Sequence, residues 1–199
     1  SRGYVDETMS ALPQYGKHLH PTETMHAVVI DRYGAADVLR PATVPRPVPT
    51  RGQVLVRTRF IGVNPKDVIV RKGKFKIATG KKFPLLVGHD IAGEVVEAAP
   101  GADLAVGQQV FGMINDFAGR AYAQYAAVDA QSLCAVPTSV DLRTAAAVPL
   151  AAQTALQGLR AGLPQAPLRV LELVARDKAC EHPDKACHGE SCPLARGFY

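Results

Sequence analysis

The sequence predicts a mainly β fold with short helices, in which the strands close partway into a barrel. Between residues 53 and 137, short runs rich in β-branched and apolar residues recur at regular spacing and are separated by glycine-bearing turns. Helix-type patterns are confined to a short segment near residue 65 and to the alanine-rich stretch after Pro137. Short strands at this spacing are typical of a compact, partly closed β-barrel.

The composition bounds the class of protein. The chain has 199 residues, 47% of them hydrophobic, so it can bury a sizeable core. Its net charge of +5 is a modest excess that any soluble basic protein could carry. No segment approaches the roughly 20 apolar residues that span a bilayer, and the first residues lack a signal-peptide pattern. We therefore expect a cytoplasmic protein without a membrane segment.

The first half of the chain predicts a leader followed by strands. Residues 1–24 show no sustained period and are interpreted as a flexible leader, with the first strand in HAVVID (26–31). The proline-rich run PATVPRPVPT (41–50) is interpreted as a connection that cannot be a central strand. The predicted strands that follow are QVLVRTRFIGV (53–63), IAGEVVEA (91–98), VGQQVFGMI (106–114), AYAQYAAV (121–128) and SLCAVP (132–137).

Two regions predict helices. In NPKDVIVRKG (64–73), Asn64 is a candidate cap and Pro65 suits the first helical position. Residues 139–162 predict two helical pieces interrupted before Pro149, the second ending near Gly162. The end of the leader and the end of the second helical piece predict a domain over residues 25–162, followed by a short cysteine-rich segment over 163–199.

Five segments carry a family likeness: GVNPKD (62–67), FPLLVGHDIAGEVVE (83–97), GADLAVGQQVFGM (101–113), AYAQYAAV (121–128) and VPLAAQTALQGL (148–159). Together they resemble the GroES-like N-terminal domain of medium-chain dehydrogenases/reductases, and more narrowly the zinc-independent quinone oxidoreductases. The resemblance implies a two-domain reductase in which a following Rossmann domain holds NADPH. Hydride then passes from the nicotinamide to a small-molecule substrate, a quinone or an activated alkene (enone).

The resemblance suggests two cofactor-contacting residues and no catalytic metal. Asn64 stands where the zinc-dependent branch has a cysteine, so a zinc at His89 would lack its softest ligand and none is expected there. The Asn64 amide can both donate and accept hydrogen bonds, which suits contact with cofactor or substrate; a role as a helix cap is equally consistent with its position. Thr154 matches a family position near the nicotinamide. His89 and Asp90 are interpreted as structural polar residues, and no catalytic residue is assigned.

A basic stretch spans residues 66–82, with seven Lys or Arg and one Asp. It could steer an anionic cofactor or nucleic acid, but a solvated loop is the simpler interpretation because no aromatic ladder accompanies the charge. Nucleic acid is not expected as a partner.

The residues after Gly162 do not continue the family pattern. A strand candidate, APLRVLELVA (166–175), runs into RDKACEHPDKACHGESC without a glycine-rich phosphate-binding turn. The remaining residues are also too few for a Rossmann domain, since one βαβ unit alone uses about 30. The chain is therefore expected not to hold NADPH alone, and the sequence predicts an incomplete oxidoreductase that is inactive by itself.

The terminal segment has its own likeness. Residues 168–199 resemble the start of the iron-sulfur region of DNA helicases of the DinG and XPD kind, through Cys180, Cys187, Cys192 and PLARGFY. Three thiolates with His182 could bind zinc, or the segment could hold an iron-sulfur cluster. The same cysteines could instead stay free thiols or form a disulfide, whereas Cys134 is expected to be a buried small hydrophobe.

The sequence therefore leaves three functional hypotheses. The leading one is the oxidoreductase; the second is an iron-sulfur or zinc-binding fragment of a helicase-like protein, and the third is a non-catalytic barrel domain. The oligomeric state is not predicted.

Overall fold

The computed structural model describes residues 18–162, whose strands form two antiparallel sheets. The three-stranded sheet has the order β2-β1-β4, with β1 at Leu19–Ile30, β2 at Leu39–Pro47 and β4 at Leu85–Leu86. The five-stranded sheet has the order β7-β3-β5-β6-β8. Its strands are β3 (Gln53–Gly62), β5 (Asp90–Ala98), β6 (Gln109–Met113), β7 (Tyr125–Asp129) and β8 (Leu133–Ala135). The prediction of a mainly β fold with short helices is confirmed.

The three-stranded sheet corrects two sequence predictions. β1 begins at Leu19, so the end of the predicted leader, residues 19–24, is strand. The proline-rich run is not a connection, because most of it pairs with β1 as β2, in a register that places Val44 opposite Met25. β2 is an edge strand, and prolines are tolerated there because a missing N–H removes no hydrogen bond between interior strands. The prediction that this run is not a central strand is therefore confirmed.

The central strand of the five-stranded sheet is β5, which pairs with β3 on one side and β6 on the other, and β3 pairs in turn with β7. β5 approaches β3 closely at Gly93, where an added Cβ would lie 2.1 Å from the Arg57 carbonyl oxygen. A side chain at this position would push the two strands apart, so the sequence needs glycine there.

The two sheets are joined by the segment that leads into β7. The Val28 N–H donates to the Tyr122 carbonyl at 2.8 Å, and the Gln124 N–H donates to the His26 carbonyl at 3.0 Å. β1 of the first sheet is thereby tied to the second sheet through main-chain hydrogen bonds. These contacts give the partly closed character that the strand pattern predicts.

The largest buried apolar cluster lies on the five-stranded sheet. Strand alternation sends Val54 and Val56 of β3 into it, whereas Leu55 between them is also buried but lies on the other face of the strand. The cluster consists of Val54, Val56, Ile91, Val95, Val110, Ile114, Ala121, Ala126, Val128 and Leu133. A second cluster lies on the three-stranded sheet, around Met25, Val29 and Leu86.

Within residues 18–162, four α-helices accompany the sheets: α1 at Pro65–Arg71, α2 at Lys76–Thr79, α3 at Leu142–Ala146 and α4 at Pro149–Gly162. The predicted start of α1 and the break before Pro149 are both confirmed. α2 lies inside the stretch predicted as a loop. Asp141 caps α3, where its carboxylate accepts from the Thr144 N–H at 2.9 Å, and this bond holds the pKa of Asp141 below its usual value. α4 belongs to the same compact unit as the sheets up to Gly158.

Cys134 is exposed, so its prediction as a buried residue was wrong. β8 is a three-residue edge strand that turns Leu133 toward the core and leaves Cys134 on the opposite face. The cluster of Cys180, His182, Cys187 and Cys192 and the strand candidate at 166–175 lie outside the described residues. None of the helices described is long and apolar enough to cross a membrane.

The close approach of β5 to β3 predicts a large penalty for a side chain at residue 93. Gly93→Ala should lower the free energy of unfolding by at least about 2 kcal/mol, because the backbone oxygen of Arg57 cannot move aside cheaply. Gly158→Ala is the matched control: an added Cβ meets nothing within 4 Å, and alanine favours a helix. Urea unfolding of both variants measures the difference, and equal stabilities would contradict this account of β5.

Candidate functional site

A buried polar cluster lies where three parts of the chain meet. α1 contributes Asp67, the connection from β4 into β5 contributes His89 and Asp90, and the segment before β7 contributes Tyr122. Asp67 is 4% exposed, and His89 and Asp90 are fully buried. Charged side chains at this depth require partners, so their contacts define the site.

Asp67 is the hub of the cluster. One carboxylate oxygen lies 2.5 Å from His89 Nδ1. The other accepts from the Asn64 N–H at 2.8 Å and from the Tyr122 hydroxyl at 3.1 Å. The Asn64 bond is the reciprocal half of a capping box, in which the third helical residue reaches back to the cap. Asp67 thus orients the start of α1, the imidazole and the tyrosine together.

Both ring nitrogens of His89 are engaged by the protein. Nδ1 faces the Asp67 carboxylate, and Nε2 lies 3.2 Å from the Asp116 carbonyl oxygen. Both neighbours are acceptors, so the ring can donate to both only when each nitrogen carries a proton. A metal at His89 would have to displace one of these contacts. The described residues also contain no group of three or more metal-type side chains.

Asp90 connects this cluster to the start of α4. Its carboxylate accepts from Asn64 Nδ2 at 3.0 Å and from the Leu150 N–H at 3.2 Å. That N–H is one of the donors that a helix leaves unpaired in its first turn. Burial raises the pKa of Asp90, and these two hydrogen bonds oppose the rise. Asp90 therefore fixes both the Asn64 side chain and the first turn of α4.

The two residues predicted to contact the cofactor are joined by this chain of bonds. Asn64 binds Asp90, Asp90 binds the Leu150 N–H, and the Leu150 carbonyl accepts from the Thr154 hydroxyl at 2.7 Å. Asn64 is partly buried at the cap of α1, whereas Thr154 is exposed. The structure brings both onto one network, and their contact with a cofactor stays a prediction.

Tyr122 is held as a hydrogen-bond donor. Burial raises its pKa far above the usual value, reinforced by the charge of Asp67 and the bond to it, and Arg71 only partly offsets these effects. The phenol therefore stays protonated at physiological pH. Its ring lies against Gly88, where an added Cβ would sit 2.2 Å from Tyr122 Cδ1.

Arg71 adds a cation to the buried set. It is 9% exposed, and its Nη1 has no hydrogen-bond partner among residues 18–162. A guanidinium stays charged in proteins, so it offsets part of the negative charge of the buried aspartates. This compensation lowers the cost of removing those groups from water.

Sequence reasoning proposed Asn64 and Thr154 as cofactor contacts and interpreted His89 and Asp90 as structural polar residues, but it did not single out Asp67, Tyr122 or Asp116. The pattern of Asn64 followed three residues later by Asp67 is a capping-box signature and could have identified Asp67. Tyr122 had no local signal, because its partner Asp67 is 55 residues away.

Comparisons with known proteins agree on the type of domain. Residues 50–138 match the alcohol dehydrogenase GroES-like domain. The chain is 34% identical over 137 residues to a chloroplastic quinone-oxidoreductase homolog of Spinacia oleracea, which covers 68% of this chain and 42% of that protein. It is 35% identical over 143 residues to a chloroplastic NADPH-dependent alkenal/one oxidoreductase of Arabidopsis thaliana, with coverages of 68% and 37%.

A solved quinone oxidoreductase from Coxiella burnetii is similar in structure, with a TM-score of 0.66 and 26% identity. The likeness covers 70% of this chain and 45% of that one. The chain thus spans about two fifths of the length of the curated relatives that it matches.

The contacts of Asp67 predict a graded loss of stability. Tyr122→Phe removes one hydrogen bond to a carboxylate and should cost about 1.5–3 kcal/mol of unfolding free energy. Asp67→Asn also breaks the buried pair with His89 and should cost about 3–5 kcal/mol. Tyr125→Phe, which keeps the ring under Arg46, is the control and should change stability by less than about 0.5 kcal/mol. Urea unfolding at pH 7 tests this order, and an Asp67→Asn variant as stable as the control would contradict it.

The raised pKa of Asp90 predicts a pH dependence with a definite sign. In the window above the ordinary value of 3.8, the folded state holds a proton that the unfolded state has lost, so stability falls as pH rises toward the raised pKa. Asp90→Asn cannot ionise and should lack this contribution. Unfolding free energies of both proteins across pH 4–7 should show the wild type losing stability relative to the variant. A gain in its place would contradict the raised pKa.

Proposed function

We propose that the chain, which matches the alcohol dehydrogenase GroES-like domain over residues 50–138, forms the substrate side of an NADPH-dependent oxidoreductase of the medium-chain dehydrogenase/reductase type. The substrate is a quinone or an activated alkene, and the reaction is hydride transfer to it. The observation that carries this proposal is the network from Asn64 through Asp90 to Thr154. Two of the curated relatives are a quinone-oxidoreductase homolog and an alkenal/one oxidoreductase, which favours the same chemistry.

The described residues fit one end of the nicotinamide cofactor. The Asn64 amide and the Thr154 hydroxyl are neutral polar groups of the kind that hold a nicotinamide or a substrate carbonyl. NADPH, when bound, supplies the hydride. The pyrophosphate would need a glycine-rich turn between a parallel strand and a helix. Within residues 18–162 both sheets are antiparallel, so that turn is expected from a separate dinucleotide-binding unit.

The chain contributes positioning rather than acid-base chemistry. Asp90 fixes the Asn64 amide against α4, and Asp67 fixes the turn that presents Asn64. Hydride transfer depends on alignment of the two reacting carbons, so a fixed contact residue lowers the barrier by limiting the geometries that it samples. The engagement of both His89 nitrogens supports a zinc-independent reaction.

Several further sequence predictions stay predictions. They are the cytoplasmic location, the inactivity of the chain alone, and an iron-sulfur cluster or zinc at Cys180, His182, Cys187 and Cys192. The likeness to DinG and XPD helicases also stays a prediction, because it concerns residues outside the described part of the chain.

A domain exchange tests the function. Residues 25–162 would replace the matching segment of the Coxiella burnetii quinone oxidoreductase, and NADPH oxidation would be followed with a quinone or an enone as acceptor. We expect acceptor-dependent turnover by the hybrid and none by the 199-residue chain alone. A folded hybrid that binds NADPH but reduces neither class would contradict the proposed function. Turnover by the chain alone would contradict its need for a second unit.

Asn64→Ser in the same hybrid separates a contact role from a capping role. Serine is an equally good helix cap but lacks the amide, so the cap is kept and the hydrogen bond to Asp90 is lost, at a cost of about 1.5–3 kcal/mol of unfolding free energy. We expect kcat/KM to fall about tenfold in the folded hybrid. Asn115→Ser, at an exposed asparagine, is the matched control and should leave kcat/KM unchanged. An unchanged kcat/KM for Asn64→Ser would show that Asn64 only caps α1.

A further inference from the structure

A cleft beside the buried cluster combines positive charge with an apolar wall. It has a volume of about 470 Å³, within the range of small-molecule sites. One wall comes from the end of α2 and the segment after it, and the other comes from the loop between β6 and β7. Its lining residues are Ala78, Thr79, Gly80, Lys81, Lys82, Leu85, Asp116, Phe117, Ala118 and Arg120.

The first wall is held in place by Tyr33. The Tyr33 hydroxyl bonds Thr79 Oγ1 at 2.6 Å and donates to the Gly80 carbonyl. Its ring packs edge-on against Phe83, with ring centroids 5.1 Å apart. These contacts bracket Lys81 and Lys82, so the backbone that carries both lysines is anchored on either side.

The second wall is held by Asp116. Its carboxylate accepts from the Gly119 N–H at 2.5 Å and from the Arg120 guanidinium. Its carbonyl oxygen lies 3.2 Å from His89 Nε2 and 3.5 Å from the Lys66 ammonium. The loop is thereby fixed to the buried cluster, and Asp116, the only carboxylate that lines the cleft within residues 18–162, is already engaged.

The cleft has an excess of positive charge. Lys81 and Lys82 are exposed, and neither belongs to an ion pair found among residues 18–162. Phe117 is 59% exposed, an unusual state for a phenylalanine, and with Leu85 and Ala118 it gives the cleft its apolar surface. A ligand that matches both features has an anionic group and a flat apolar body.

We propose that this cleft binds a small planar conjugated acid and that Lys81 and Lys82 select for its carboxylate. The inference deepens the proposed function, on which it rests, by naming the acceptor class as acidic quinones or enones. The carboxylate lies by the lysines, while the conjugated body lies against Phe117. The selection is electrostatic and therefore weakens as salt is added.

The test compares two ligands that differ only in charge, trans-cinnamate and trans-cinnamamide. Each is titrated into the ¹⁵N-labelled 199-residue chain at low salt, and the backbone amide shifts are followed by NMR. We expect saturable shifts confined mainly to residues 78–82 and 116–120. Cinnamate should bind about five- to tenfold more tightly than the amide, the gain that two exposed ion pairs typically give.

Lys81→Gln combined with Lys82→Gln should bring the two affinities within about twofold of each other. Lys72→Gln with Lys74→Gln removes the same charge from exposed positions of the same basic stretch that do not line the cleft, and should preserve the preference. Equal affinities in the wild type, shifts located elsewhere, or an equal loss in both double variants would overturn the proposal. This binding test involves neither NADPH nor turnover. Failure of the domain exchange would therefore not change the interpretation of the NMR titrations.

Discussion

The contact between the Asp67 carboxylate and the His89 imidazole is the interaction on which the site depends. It joins α1 to the strand connection before β5, and the same carboxylate orients Asn64 and Tyr122. Both groups lie out of reach of water, so each needs the other as a hydrogen-bond partner. The other ring nitrogen of the imidazole, Nε2, contacts the Asp116 carbonyl and so connects the pair to the loop that lines the cleft. A single buried pair thus links the start of α1 to the loop that lines the cleft.

Asp90 makes the corresponding contacts toward α4. It lies next to His89 in sequence but faces Asn64 and the first turn of α4. The close packing of Gly62 allows this arrangement, because a Cβ there would lie 2.7 Å from the Ala146 carbonyl oxygen and 2.9 Å from Asp90 Cβ. The two buried aspartates therefore contact different groups. Asp67 contacts the imidazole and the tyrosine, whereas Asp90 contacts the Asn64 side chain and the first turn of α4.

The sequence predicted features that depend on neighbours along the chain. The Asn-Pro pair marks the start of α1, and Pro149 marks the start of α4, because both signals act within one helical turn. It failed where distant residues decide. β2 is a strand because β1 lies beside it, and Cys134 is exposed because β8 lies at a sheet edge. The bonds from Asp67 to His89 and Tyr122 span 22 and 55 residues, which no local pattern encodes.

A double-mutant cycle across Asp67 and His89 tests the central contact most directly. The free energy of unfolding would be measured by urea denaturation at pH 7 for the wild type, Asp67→Asn, His89→Gln and the double variant. Because the two side chains are buried and contact each other, we expect the double variant to lose about 1–3 kcal/mol less than the sum of the two single losses. Single losses that add to within about 0.5 kcal/mol would contradict a direct contact between the two side chains.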